Sequence, residues 1–250
     1  MFEDQEKTFL EHLFDLRNVI IKSASALGVG VLIVSCFTRD LLAVLRWPLI
    51  RVCVGRKLDP DKLLIALGVT DPLNIFMDIA LFGGMILSAP FILYFIGSFL
   101  LPALTPRERK MILPTFVAGG FLFITGVVFC YFLVLPQTLA FFIDFNGWFH
   151  FQTQWTIQYY IDFVVQTLLA FGFAFELPLV ILLLAKLGLV NQAFLRHYRR
   201  HAILILFIAT CCISPATDLF NLSLLFVPMY FLYELSIFLA AGVEKKRSSE

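Results

Sequence analysis

The chain has 250 residues, of which 60% are hydrophobic and only 15% charged, and its mean hydropathy is +0.89. Soluble domains carry about 25% charged and about 45–50% apolar residues, so a soluble globular protein is excluded. The net charge of +1 is uninformative by itself; the placement of the charges along the chain is not.

The apolar residues fall in runs long enough to cross a hydrocarbon core, which takes roughly 20 residues per helix. No alternating pattern long enough for a barrel is present, so the spans read as helices. The 29 Phe suit lipid-facing surface and packing between helices. The acidic start, Met1-Phe-Glu-Asp-Gln-Glu-Lys7, lacks the basic segment and cleavage site of a signal peptide. The first span is therefore expected to be retained and to start from the cytoplasm. Cys36, Cys53, Cys130, Cys211 and Cys212 show neither a CxxC pair nor ligand spacing, and no disulfide framework is expected.

Thr8 to Arg17 sets Phe9, Leu10, Leu13, Phe14 and Leu16 against Glu11, His12, Asp15 and Arg17 at helical spacing, the pattern of a short amphipathic helix lying in the interface. The first span follows at about residues 19–37. A loop of roughly 30 residues comes next, longer than an unstructured connection usually is. Its apolar stretches, around Trp47-Pro48, predict short helices covering one face of the bundle. The second span covers about 72–101 and the third about 111–135. Pro136 and a polar connection from Gln137 to Gln158 lead to the fourth, about 161–184. Lys186 to Arg200 is basic. The fifth span, about 202–213, is short for a bilayer. Ser214-Pro-Ala-Thr-Asp218 is a tight turn, and the sixth span covers about 219–241. The expected fold is an all-α membrane protein of six transmembrane helices in a single domain, 1–250. Thirteen of the 19 basic residues fall on the side that holds both termini, which places the N and C termini in the cytoplasm.

Few polar residues stand where chemistry could use them. Glu176, in Phe171-Gly-Phe-Ala-Phe-Glu-Leu-Pro178, lies deep in the fourth span, where a carboxylate costs about 2.5–3.5 kcal/mol on insertion scales. Pro178 cannot donate to the carbonyl of Ala174, so a polar notch is expected beside Glu176. The notch would face a cavity or partner helix, or hold a protonated Glu bonded to its neighbours; an intramembrane carboxylate favours the functional reading. Thr105-Pro-Arg-Glu108 fits a capping box, and Glu108 reads equally as a cap or as an outward carboxylate for cationic groups. Asp218 reads as the cap of the sixth span. His197 and His201 stand at i,i+4, but Arg196, Arg199 and Arg200 surround them and no third ligand is near. They read as a basic interface, not a metal site. Gly28-Val-Gly30 lacks the strand context and Lys of a nucleotide loop, so no ATP site is expected. Nothing suggests an intramembrane hydrolase.

Taken together, several motifs resemble the TatC family, the multi-spanning receptor subunit of the twin-arginine protein translocase. They are Leu10-Glu-His-Leu-Phe-Asp-Leu-Arg17; Trp47-Pro-Leu-Ile50; Ser88-Ala-Pro-Phe-Ile-Leu-Tyr94 with Phe99, Pro102, Leu104 and Glu108-Arg109; Phe171 to Pro178; Ser214-Pro215 with Asp218; and Pro228-Met-Tyr230. The resemblance covers almost the whole chain. It implies a concave, glove-like six-helix bundle in the cytoplasmic (inner) membrane, with no catalytic activity, no cofactor and no metal. It further implies export of folded proteins through their Arg-Arg signal peptides, driven by the protonmotive force, with TatA-type and TatB-type single-span partners and self-association. No nucleic acid is involved. By this resemblance the signal-peptide site comprises Glu108, Phe99, Asp15 and Arg17, the intramembrane polar site is Glu176, and Pro48 and Asp218 are structural. Asp15 stands where the family usually has Glu; Phe95 and Gly97 replace the usual Gln and Trp, and Leu222 replaces a common Gln. The alternative from residues alone is a proton-coupled small-molecule transporter using Glu176, against which no inverted repeat is visible. A respiratory-complex subunit is a third reading, but the spans hold no haem-type His pair.

Overall fold

The computed structural model describes residues 9–100, 106–186, 188–213 and 219–247, and the side-chain surroundings of 13–99, 116–186, 188–212, 219, 220 and 222–242. The chain is mostly helical. Helix α1 (Phe9–Cys36) is continuous, so the expected interfacial helix and first span form one rod. Neither Pro nor Gly interrupts it before Gly28, and at 1.5 Å per residue it is about 42 Å long.

The connection after the first span is helical, as its apolar stretches predicted, though not uniformly short. Helix α2 (Thr38–Arg56) has 19 residues and is followed by a single turn, α3 (Pro60–Leu63). The strand β1 (Leu64–Ile65) pairs in parallel with β2 (Trp155–Thr156) from the connection after the third span. Helix α4 (Asp71–Leu100) and helix α5 (Pro106–Phe129) carry the second and third spans.

The connection after the third span differs from expectation. The chain does not leave the helix at Pro136; it passes through a π-helical step, Cys130–Val134, into α6 (Leu135–Trp148). Proline lacks an N–H and crowds the carbonyl four residues back. The wider π turn, closed by the Leu135 N–H donating to the Cys130 carbonyl, relaxes that register, and Pro136 falls in the first turn of α6, where no donor is needed.

The fourth span divides into α7 (Ile157–Ala174) and α8 (Leu177–Lys186), with a break at Phe175 and Glu176. Helix α9 (Gln192–His197) is capped by Asn191, whose side chain accepts from the Phe194 N–H at 2.7 Å. Helix α10 (Arg199–Ile213) has 15 residues, about 22 Å against a hydrocarbon core of about 30 Å. Helix α11 (Leu219–Arg247) completes the chain. Among the described residues, five helical stretches are long and apolar enough to cross a membrane: Leu13–Cys36, Asp71–Phe99, Phe116–Trp148, Ile157–Lys186 and Leu222–Gly242.

Two devices bring these helices together. Helices α1 and α4 cross at Gly30 and Gly84: a Cβ on Gly30 would lie 2.8 Å from the Gly84 carbonyl oxygen, and one on Gly84 would lie 2.7 Å from the Val31 nitrogen. Small residues that let backbones touch supply packing where lipid removes the hydrophobic drive between helices. The second device is an aromatic clamp on α2. Trp47 stacks on Tyr131 at 5.6 Å, and Tyr131 donates its hydroxyl to the Val44 carbonyl at 2.8 Å. Tyr160 donates to the Leu45 carbonyl at 2.8 Å, and Arg56 forks onto Asp144. That carboxylate raises the pKa of the Arg56 guanidinium further. Pro48 and Leu49 are buried beneath the clamp.

Candidate functional site: a buried carboxyl and one end of the bundle

The fourth span is the core of the molecule. In its most apolar window 61% of residues are buried, against 11% for the first span. Glu176 lies in that span and is 7% exposed. Its backbone is satisfied: the N–H donates to the Phe173 carbonyl, and its own carbonyl accepts from Val180, both at 3.0 Å. Its side chain is not. Neither Oε1 nor Oε2 has a hydrogen-bond partner among the described residues.

Sequence and geometry explain the position. With Pro178 unable to donate to Ala174, α7 ends there, and two residues are spent before α8 resumes. The break turns the Glu176 carboxyl toward α5. Gly119 faces it, since a Cβ built on Gly119 would stand 3.1 Å from Oε2 and 2.7 Å from Leu179 Cδ2. The neighbouring Gly120 lets α5 approach Pro90 of α4, where an added Cβ would lie 3.1 Å away. Two adjacent glycines thus seat α5 against both neighbours and leave room for the carboxyl. Sequence reasoning singled out Glu176 but not Gly119, whose role depends on a contact 57 positions along the chain. An unpartnered buried polar group costs about 1–3 kcal/mol, and none of the described residues offers Glu176 a donor.

The other candidate residues lie toward one end. Helices α1 and α4 run antiparallel: Gly30 meets Gly84, while Ile21 and Lys22 share a groove with Phe91 and Phe95. Asp15 and Arg17 therefore occupy the end of α1 beside the end of α4, where Phe99 lies. Asp15 and Phe99 are half-buried and Arg17 is exposed. Glu108 falls in the first turn of α5, which begins at Pro106. The Glu108 side chain, Thr105 of the expected capping box and the cap at Asp218 lie outside the described residues.

Two further polar groupings escaped the sequence reading. Asn74 donates to Gln158 at 3.3 Å, and one turn further along the same helices the carboxyls of Asp78 and Asp162 meet within hydrogen-bonding range. The signal available was the matching i,i+4 pairs Asn74/Asp78 and Gln158/Asp162, which no local pattern joins. About midway along α11, Arg199 donates to Glu234 at 2.6 Å, and Tyr230 donates to the same carboxylate at 3.1 Å.

The model of the TatC family, the Sec-independent protein translocase protein, matches residues 11–228. The chain belongs to the TatC family. It is similar to the Sec-independent protein translocase protein TatC of Desulforapulum autotrophicum, with 34% identity over 99% of this chain and 89% of that one. Against TatC of Carboxydothermus hydrogenoformans the identity is 35%, over 99% and 98% of the two chains. A crystal structure of the twin-arginine translocase receptor TatC superposes with a TM-score of 0.80 at 33% identity, covering 93% of this chain and 99% of that one. This TatC-family chain is accordingly a multi-pass protein of the cytoplasmic membrane and a component of twin-arginine protein translocation.

Proposed function

We propose that the chain is the receptor subunit that admits Arg-Arg signal peptides to the translocase. The observation that carries this reading is the likeness, along nearly its whole length, to a solved translocase receptor. The arginine pair docks at the end of the bundle formed by Asp15, Arg17, Phe99 and the first turn of α5 with Glu108. Guanidinium groups are planar, permanently charged and matched to carboxylates in paired hydrogen bonds. The cations around Glu108, Arg107, Arg109 and Lys110, repel peptides that are merely basic, so selectivity rests on placed carboxylates. The chain performs no catalysis. The protonmotive force drives transport, TatA-type and TatB-type single-span proteins are its partners, and the receptor self-associates. Glu176 takes a polar group from a partner helix or an inserted signal peptide. Its burial without a partner among the described residues supports this role.

An export assay with one reporter carrying Arg-Arg or Lys-Lys in its signal peptide, in cells that rely on this chain, tests the reading. Export of the Arg-Arg form alone is expected. Equal export of both, or uptake of a small solute by the chain alone in proteoliposomes, would overturn it.

The arrangement consistent with this role is a concave bundle of six spans in a single domain, with α10 as the short fifth and both termini cytoplasmic. The five stretches of full length support it, as does the excess of basic residues at the termini's side. Single cysteines on a Cys-free background test it. Position 108 and the tail should resist an impermeant reagent added outside intact cells, while positions 57 and 147 should label. Rapid labelling at 108 would invert the arrangement.

A further inference from the structure

From Leu177 to Ile213 the chain carries no Asp or Glu, yet it holds Lys186, Arg196, Arg199 and Arg200, with His197 and His201. The connection between α8 and α10 is therefore cationic without internal compensation. Arg199 is paired with Glu234 of α11 at 2.6 Å. Arg196 and Arg200 are exposed, and so are both histidines.

The segment that presents them is anchored. Leu195 is 8% exposed, and its carbonyl accepts the Tyr233 hydroxyl of α11 at 2.9 Å. With that face of α9 fixed against α11, Arg196 and Arg200 are left on the exposed surface. Aromatic rings stand among them. Phe194 and Tyr198 are exposed and contact each other with centroids 4.5 Å apart, and Tyr198 touches His197 and His201 at 5.0 and 5.4 Å. The segment follows directly on one membrane-crossing stretch, which ends at Lys186. Rings with an apolar body and a polar tip, beside exposed arginines at the end of a span, are what the headgroup layer selects. Arginine in particular matches phosphate oxygens through its planar fork.

We propose that the α9–α10 connection is a seat for anionic phospholipid headgroups. Arg196 and Arg200 take the phosphate, and Phe194 and Tyr198 sit at the headgroup level. The lipid would hold α9, and through Tyr233 and Arg199 the adjoining part of α11, in register with the membrane surface. The assignment to the cytoplasmic leaflet rests on the topology proposed above; the lipid preference itself does not.

The test uses the full chain in nanodiscs containing equal phosphatidylglycerol and phosphatidylcholine, extracted into detergent, with the retained lipid read by native mass spectrometry. The wild-type chain is expected to retain phosphatidylglycerol preferentially. Each surface arginine is worth about five-fold in attraction to an anionic leaflet, so the R196Q/R200Q variant should retain it roughly thirty-fold less. R196K/R200K, which keeps the charge and loses the fork, should fall between. R39Q, an exposed arginine on α2, should behave as wild type. Three results overturn the proposal: no preference for phosphatidylglycerol in the wild-type chain, unchanged retention in R196Q/R200Q, or an equal loss in R39Q. Unchanged lipid retention in R196Q/R200Q, with loss of translocase partners in a separate co-purification from cells, would make the patch a protein-docking surface instead. The assay contains neither signal peptide nor partner, so failure of the receptor reading leaves its outcome untouched.

Discussion

Replacing Glu108 by glutamine is expected to leave accumulation of the protein in the membrane unchanged while weakening crosslinking to an Arg-Arg signal peptide ten-fold or more. The substitution separates two roles for one side chain. As the third residue of a capping box, Glu108 would contribute on the order of 0.5–2 kcal/mol to a helix the bilayer already supports, and Gln serves that position almost as well. As a guanidinium ligand it needs its charge. Hydrogen bonds to charged groups contribute about 1.5–3 kcal/mol, roughly ten- to a hundred-fold in affinity, and a neutral amide keeps only part of that. Glu108→Ala should therefore be only slightly worse than Glu108→Gln. Wild-type crosslinking in Glu108→Gln would reduce the residue to a cap and move recognition elsewhere on that end of the bundle.

Glu176→Ala should abolish most export, with ten-fold or greater loss, and should not lower the thermal stability of the purified chain. The second half of this expectation comes from the missing partner. The carboxyl is buried with no hydrogen bond among the described residues, so its removal sacrifices none among them and relieves a desolvation cost of about 1–3 kcal/mol. If the side chain serves a partner helix or inserted peptide, the loss will appear only in transport. Glu176→Gln keeps a hydrogen-bonding group and should be milder. Normal export by Glu176→Ala, or a loss that simply follows loss of folded protein, would make Glu176 a structural residue.

How far the sequence reveals this molecule depends on the range of each interaction. The spans are legible because an apolar run against a bilayer is a local property. A notch beside Glu176 is legible for the same reason, since Pro178 denies a donor to Ala174, but the full break of the fourth span into α7 and α8 was not. Pro136 shows the limit of that reasoning. The same rule predicted a helix end, but a π turn five residues long absorbed the missing bond and the helix continued to Trp148. The continuity of α1 was missed in the opposite direction, because a change from amphipathic to apolar pattern marks a change of surroundings and need not mark a break in the helix. Contacts between distant residues leave no local trace. Gly119 against Glu176 and Asp78 beside Asp162 fall in this group, and so do the hydroxyls that hold α2. The candidate residues at the bundle end were found through motif resemblance, since Asp15 and Arg17 read physically as an ordinary solvated helix face.

The clamp on α2 also has a consequence in time. Its partners arrive late in synthesis: Tyr131 lies 87 residues after Val44, Asp144 lies 88 after Arg56, and Tyr160 lies 115 after Leu45. The crossing of α1 and α4, by contrast, is complete once the chain has been made to about residue 100. The first two spans can therefore associate in the bilayer while α2, between them, is still unclasped. The clasp closes only after α7 is in place, so a nascent chain stalled before Tyr160 would expose α2 to surveillance proteases that the finished protein excludes.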